Sequence, residues 1–232
     1  MTRPETGPAT TALVRRSALP VGSSVDYLLI DGSSSMLDKW DDTVAALETY
    51  IMDLKTAKLN SHVLASVFTS EDCDMLQRDC SLADFISFYD EPVASHWGMT
   101  PLYDAINAAA RRLRDLDPTR ATILICTDGE ENSSQYTDLT QAKAILDWCR
   151  AKGWQVIFIG CDFNNSKQAR ALGANEDKAI GVQKELLVDA ARELARKRAN
   201  YGISGTDIHF SEEEQRQFGG LLSYQDPSSA KD

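Results

Sequence analysis

The chain has 232 residues, 43% of them hydrophobic, enough for one buried core, and a single main domain is the expectation. Its formal charge of −11 speaks against general affinity for nucleic acid or anionic lipid, because both depend on clustered Lys and Arg. No stretch approaches the ~20 apolar residues of a membrane span, and residues 1–24 carry no apolar run behind their positive charges. Neither a membrane segment nor a secretory signal is read, and a cytoplasmic protein is expected.

Pro, Thr, Ser and Gly crowd residues 1–24, which reads as a flexible N-terminal leader. "VDYLLID" follows as a buried-strand run, with order beginning at Val25. Val44, Leu47, Ile51 and Leu54 then recur at helical spacing, and "HVLASVFTS" is a second strand. "CDMLQRDC" suits a hairpin return strand, whereas "ADFISFYD" fits either a short helix or a strand. Leu102, Ile106, Ala109, Leu113 and Leu116 predict an amphipathic helix starting at Pro101, where a missing N–H does no harm.

"ATILICTD" is another apolar strand, "LTQAKAILDWCRAK" a helix stopped by Gly153, and "WQVIFIG" a further fully apolar strand. "AIGV" adds a short edge strand, and the last long helix is expected over residues 183–198. In "SEEEQRQFGG", Ser211 and Glu214 form a capping box for one short helix before a disordered tail. The domain is therefore placed at 25–200, with 201–232 as a C-terminal extension. Cys73, Cys80, Cys126, Cys149 and Cys161 are odd in number and read as free thiols; the pair in "CDMLQRDC" lacks the spacing and His of a zinc site.

Apolar strands alternating with helices imply a mostly parallel sheet covered on both faces, an α/β doubly wound architecture. Ligands of such sheets bind at the carboxyl ends of the strands. Asp31 closes one strand and Asp128 closes another, so both carboxylates are expected at that edge.

Nucleotide sites need glycines in the first strand-to-helix loop, and neither GxGxxG nor GxxxxGK[ST] occurs there. An aspartyl phosphatase needs D-x-D-x-T, and Ser33 stands at its second Asp. A serine hydrolase has Ser34, Asp128 and His209 in the required order, but Met36 replaces the second small residue of the nucleophile elbow. A hard divalent cation uses more of the residues. Asp31, Ser33 and Ser35 form D-x-S-x-S, one carboxylate and two hydroxyls on one loop, and Thr100 and Asp128 arrive from two others. Simpler roles compete: Thr100 as the N-cap of the helix at Pro101, and Ser33 and Ser35 as turn residues.

Together "DGSSSM", "GMTPLYDA" and "TDGEEN" resemble the three parts of the metal-ion-dependent adhesion site of von Willebrand factor A (vWA) domains, here of an intracellular prokaryotic or phage type. The resemblance covers residues 25–200. It implies a Rossmann-like sheet with one antiparallel edge strand and a Mg²⁺, or Mn²⁺, held by Asp31, Ser33, Ser35, Thr100 and Asp128. It further implies a non-enzymatic binding module whose metal accepts an Asp or Glu of a partner protein. His96, Trp97, Glu130 and Glu131 fall on the loops around that metal and are taken as the partner-binding rim; Glu130 and Glu131 also suit a solvated acidic edge. A hydrolase acting through Ser34, or a structural module without metal-dependent binding, are the alternatives.

Overall fold

The computed structural model describes residue 19 and residues 23–89, 98–128, 130–161 and 165–219. Six strands form one sheet: β1 (Ser24–Asp31), β2 (Ser61–Phe68), β3 (Met75–Ser81), β4 (Arg120–Cys126), β5 (Gln155–Cys161) and β6 (Ala179–Val182). Their order is β3-β2-β1-β4-β5-β6, parallel throughout except where β3 runs antiparallel to β2. The expected parallel sheet with one antiparallel edge strand is what forms. Strand β1 sits at its centre and is buried along its whole length.

Two hydrophobic layers follow from the strand alternation of side chains. Leu28 and Ile30 of β1 face one layer, together with α1 (Trp40–Thr56) and α5 (Leu187–Ser204). Val25, Tyr27 and Leu29 face the other, which packs α2 (Leu102–Leu116), α3 (Leu139–Ala151) and α4 (Asn165–Ala171). A buried ion pair ties α5 to the first layer. Arg198 and Asp26 are both fully buried; Arg198 Nε and Nη2 donate to Asp26 Oδ1 and Oδ2 at 2.6 and 3.0 Å. Tyr50 of α1 and Ser61 of β2 add hydroxyl donors to the same carboxylate at 2.8 and 2.5 Å.

Most element bounds shift from their expected positions by a residue or more, and four departures bear on the fold. Residues 82–89 form turns, neither helix nor strand, pinned by an edge-to-face contact between buried Phe85 and Phe88. Helix α2 begins at Leu102, with Pro101 outside it. Helix α5, expected over 183–198, starts at Leu187 and runs on to Ser204 with buried Arg198 paired inside it, and Gly205 at φ +76° closes it. Strand order begins at Ser24, one residue before Val25.

The extension after α5 returns to the body of the domain. Ile208, Phe210 and Phe218 are 0, 1 and 4% exposed, and α6 (Glu212–Gln217) carries the anticipated capping box of Ser211 and Glu214. Residues 220–232, and most of the leader assigned to 1–24, lie outside the described residues. Cys73, Cys80, Cys126 and Cys149 are free thiols.

Candidate metal centre

Strands β1 and β4 are parallel neighbours, with Ile30 opposite Cys126, so Asp31 and the Thr127–Asp128 pair leave the sheet side by side. Asp31 is fully buried. Its Oδ1 accepts the Ser33 amide at 2.8 Å and its Oδ2 accepts the Thr127 hydroxyl at 2.6 Å. Burial pushes the Asp31 carboxyl up to about 6; the Thr127 and Ser33 hydrogen bonds oppose the shift, and the nearby Asp128 adds to it.

The loop leaves β1 through Gly32, whose N–H still donates to Phe68 of β2 at 2.9 Å. A Cβ there would lie 2.6 Å from Val67 Cγ1, so only glycine lets the loop cross β2 so closely. Beyond it the hydroxyls form a chain. Ser33 Oγ and Ser35 Oγ are 3.0 Å apart, and Ser35 Oγ donates to Asp128 Oδ1 at 2.7 Å. Lys39 Nζ donates to the other oxygen, Asp128 Oδ2, also at 2.7 Å. The Asp128 side chain is only 2% exposed.

Thr100 reaches this edge through a loop bonded to the first one. The Ser34 amide donates to Gly98 O at 3.1 Å, and the Gly98 amide donates to Ser34 Oγ at 3.0 Å. Gly98 sits at φ +88°, and a Cβ on it would strike Ser70 Oγ at 2.2 Å, so this contact also requires glycine. Thr100 is buried, its amide held by Asn132 Oδ1 at 2.8 Å and its carbonyl by the Asn132 amide at 3.1 Å. It does not cap α2: the Tyr103 amide is taken by Glu131 Oε2 and Ser134 Oγ, and the Asp104 amide by Ser134 Oγ. Thr100 therefore has no helix-capping duty to explain its presence.

Glu131 serves the loop itself. Besides Tyr103, its carboxylate accepts the Ser133 and Ser134 amides at 2.8 and 2.7 Å. Glu130 is exposed and faces Lys167 Nζ at 3.5 Å. His96 and Trp97 lie outside the described residues. Ser34 is exposed and joins two loops, while His209 follows α5, beside Phe210, whose amide donates to the Asp177 carbonyl ahead of β6, at the opposite edge of the sheet. The Ser34, Asp128 and His209 of the hydrolase alternative are thus not assembled.

The donor set suits a hard divalent cation. Two carboxylates and two hydroxyls converge, each carboxylate oxygen keeps a spare lone pair, and the Lys39 ammonium already sits against Asp128 as a cation would. Among the described residues no three His, Cys, Asp or Glu side chains converge as a metal-holding group, so the cluster relies on its hydroxyls. Sequence reading missed Thr127, Asn132 and Lys39. Thr127 and Asn132 do lie inside or beside the motif stretches, but their partners are set only by folding.

No protein-family model and no curated protein matches the chain. Solved structures do. A von Willebrand factor type A protein from Catenulispora acidiphila aligns at TM-score 0.59 and 18% identity, over 77% of this chain and 43% of that one. The pilus adhesin SpaC from Lactobacillus rhamnosus GG aligns at 0.60 and 12%, over 79% of this chain and 30% of its own. The vWF domain of the type V pili tip protein Mfa5 from Porphyromonas gingivalis aligns at 0.60 and 10%, over 84% of this chain and 99% of its own. This chain thus spans less than half of the first two proteins. With its six-stranded mostly parallel sheet, it has the vWA fold.

Proposed function

We propose that this chain, a vWA fold, is a binding module in which Asp31, Ser33, Ser35, Thr100 and Asp128 hold Mg²⁺, or Mn²⁺ in its place. The partner is a protein that presents an Asp or Glu carboxylate. The observation that carries this reading is the continuous set of oxygens from Ser33 through Ser35 to Asp128, beside buried Asp31, at the carboxyl ends of β1 and β4. When bound, the cation supplies positive charge that two carboxylates do not over-neutralise and room for one further oxygen ligand.

The chain's own residues do the rest. Thr127 and the Ser33 amide hold the Asp31 carboxylate in a single orientation. Asn132 fixes the Thr100 backbone, and the Ser34–Gly98 pair holds the two loops together. Glu131 orders the third loop from within, which leaves Glu130 as its solvent-facing carboxylate. Leu37 and Met99, 66 and 50% exposed, give the edge apolar surface that a partner could cover.

Two of the similar structures are named as an adhesin and a pilus tip protein, and a partner-binding role for this chain agrees with those names. A cytoplasmic setting is part of the proposal, supported by Cys73, Cys80, Cys126 and Cys149, which are free thiols among the described residues. Among the described residues no helix is long and apolar enough to cross a membrane. Affinity capture from lysate, run in parallel with Mg²⁺ and with EDTA, tests the proposal. A protein retained only with Mg²⁺, and not by Asp31→Ala, is expected; capture that survives both EDTA and the substitution would overturn it.

A further inference from the structure

Lys39 occupies the residue just before α1, the position where Ser, Thr, Asp or Asn would cap the first amides, and its side chain makes no capping bond. A cation there also opposes the helix dipole, whose amino end favours negative charge. Both local preferences are overridden by a contact further away. The side chain turns back over its own loop, with Nζ 3.4 Å from the Ser35 carbonyl and 2.7 Å from Asp128 Oδ2. The Lys39 side chain is 18% exposed and that of Asp128 2%, so the pair is largely shielded from water and its charges are felt strongly.

We propose that Lys39 is an internal counter-ion that competes with the divalent cation for Asp128, so that cation loading requires the ammonium to leave. This rests on the metal-site reading given above. Asp31 and Asp128 supply two negative charges, and Lys39 returns one positive charge to the same cluster. An approaching divalent cation meets a carboxylate already neutralised on one oxygen, and the ammonium repels it. Lys39 thereby sets the cation concentration at which the site loads, and its departure leaves a mobile positive charge at the rim that favours an acidic partner.

The sign separates this role from a structural one. If Lys39 merely shaped the loop, its removal would loosen the site and weaken cation binding. Competition predicts the reverse. Lys39→Met keeps the length of the stem and deletes the charge, and Lys39→Gln is a second neutral variant in case the first folds poorly. Mg²⁺ is titrated into EDTA-stripped wild type, Lys39→Met, Lys39→Gln, Lys39→Arg and Asp31→Ala, and binding is read by calorimetry and by melting temperature.

The neutral variants should reach half-saturation at about tenfold lower Mg²⁺ than wild type, with Lys39→Arg close to wild type. Without metal they should melt below wild type, since Asp128 loses its partner, and Mg²⁺ should close that gap. Binding by the neutral variants alone, with wild type silent, would also support the proposal. Equal or weaker binding in the neutral variants overturns it while leaving the metal site intact. No binding in any variant overturns both this proposal and the metal-site reading.

Discussion

At the scale of single residues, the same carboxylate type serves different ends at one sheet edge. Asp31 is buried and oriented by two donors, Asp128 is buried against an ammonium, and Glu131 accepts four hydrogen bonds within and beside its loop. Glu131→Ala should therefore cost roughly 1–3 kcal/mol, by leaving amides of the third loop and of α2 unpaired, measured by urea unfolding. If Glu131 instead contacts the partner directly, the variant would keep its stability and lose capture. Asp31, Ser33, Ser35 and Asp128 are legible in the sequence because each sits at or just past the end of an apolar run, where the sheet must open. Thr127, Asn132 and Lys39 are not, because their use depends on which loop arrives opposite them. Gly98 and Ser34 carry no chemistry of their own, and only the fold reveals that they bind the two loops together.

At the scale of elements, apolar periodicity placed the strands and the amphipathic helices close to where they form, and it failed where a polar residue is buried. Arg198 is the clearest instance: the helix expected to end at residue 198 continues to Ser204, with Arg198 inside it in a fully buried pair with Asp26. Breaking that pair by Arg198→Met should destabilise the protein by about 3–5 kcal/mol, because Asp26 is left buried without its counter-ion. Chemical denaturation reads this directly, and a loss within experimental error of zero would mean that the pair is solvated. The capping box of α6 is a milder case of the same logic. Ser211 accepts the Glu214 amide at 3.2 Å, and Ser211→Ala should cost about 1 kcal/mol. The box is readable from Ser-x-x-Glu alone, and α3 carries an equivalent one, Asp138 with Gln141.

At the scale of the whole molecule, the C-terminal extension belongs to the body of the domain, because Ile208, Phe210 and Phe218 pack into the layer shared by α1 and α5. Its polar, glutamate-rich sequence hid this: three apolar residues separated by charges show no period that points to a core. Phe210→Ala should cost about 3–5 kcal/mol and leave one cooperative unfolding transition; two separated transitions would mean that the extension folds on its own. The central claim is that one edge of this sheet is a divalent-cation site through which the chain binds a partner. Calorimetric titration of Mg²⁺ into EDTA-stripped protein tests it most directly, with melting temperature followed in parallel. Wild type should bind one ion and gain about 2.7 kcal/mol of stability at a hundredfold excess over the dissociation constant. Asp31→Ala, folded by circular dichroism, should show neither; no binding by wild type or by its neutral Lys39 variants, or equal binding by Asp31→Ala, would contradict the claim.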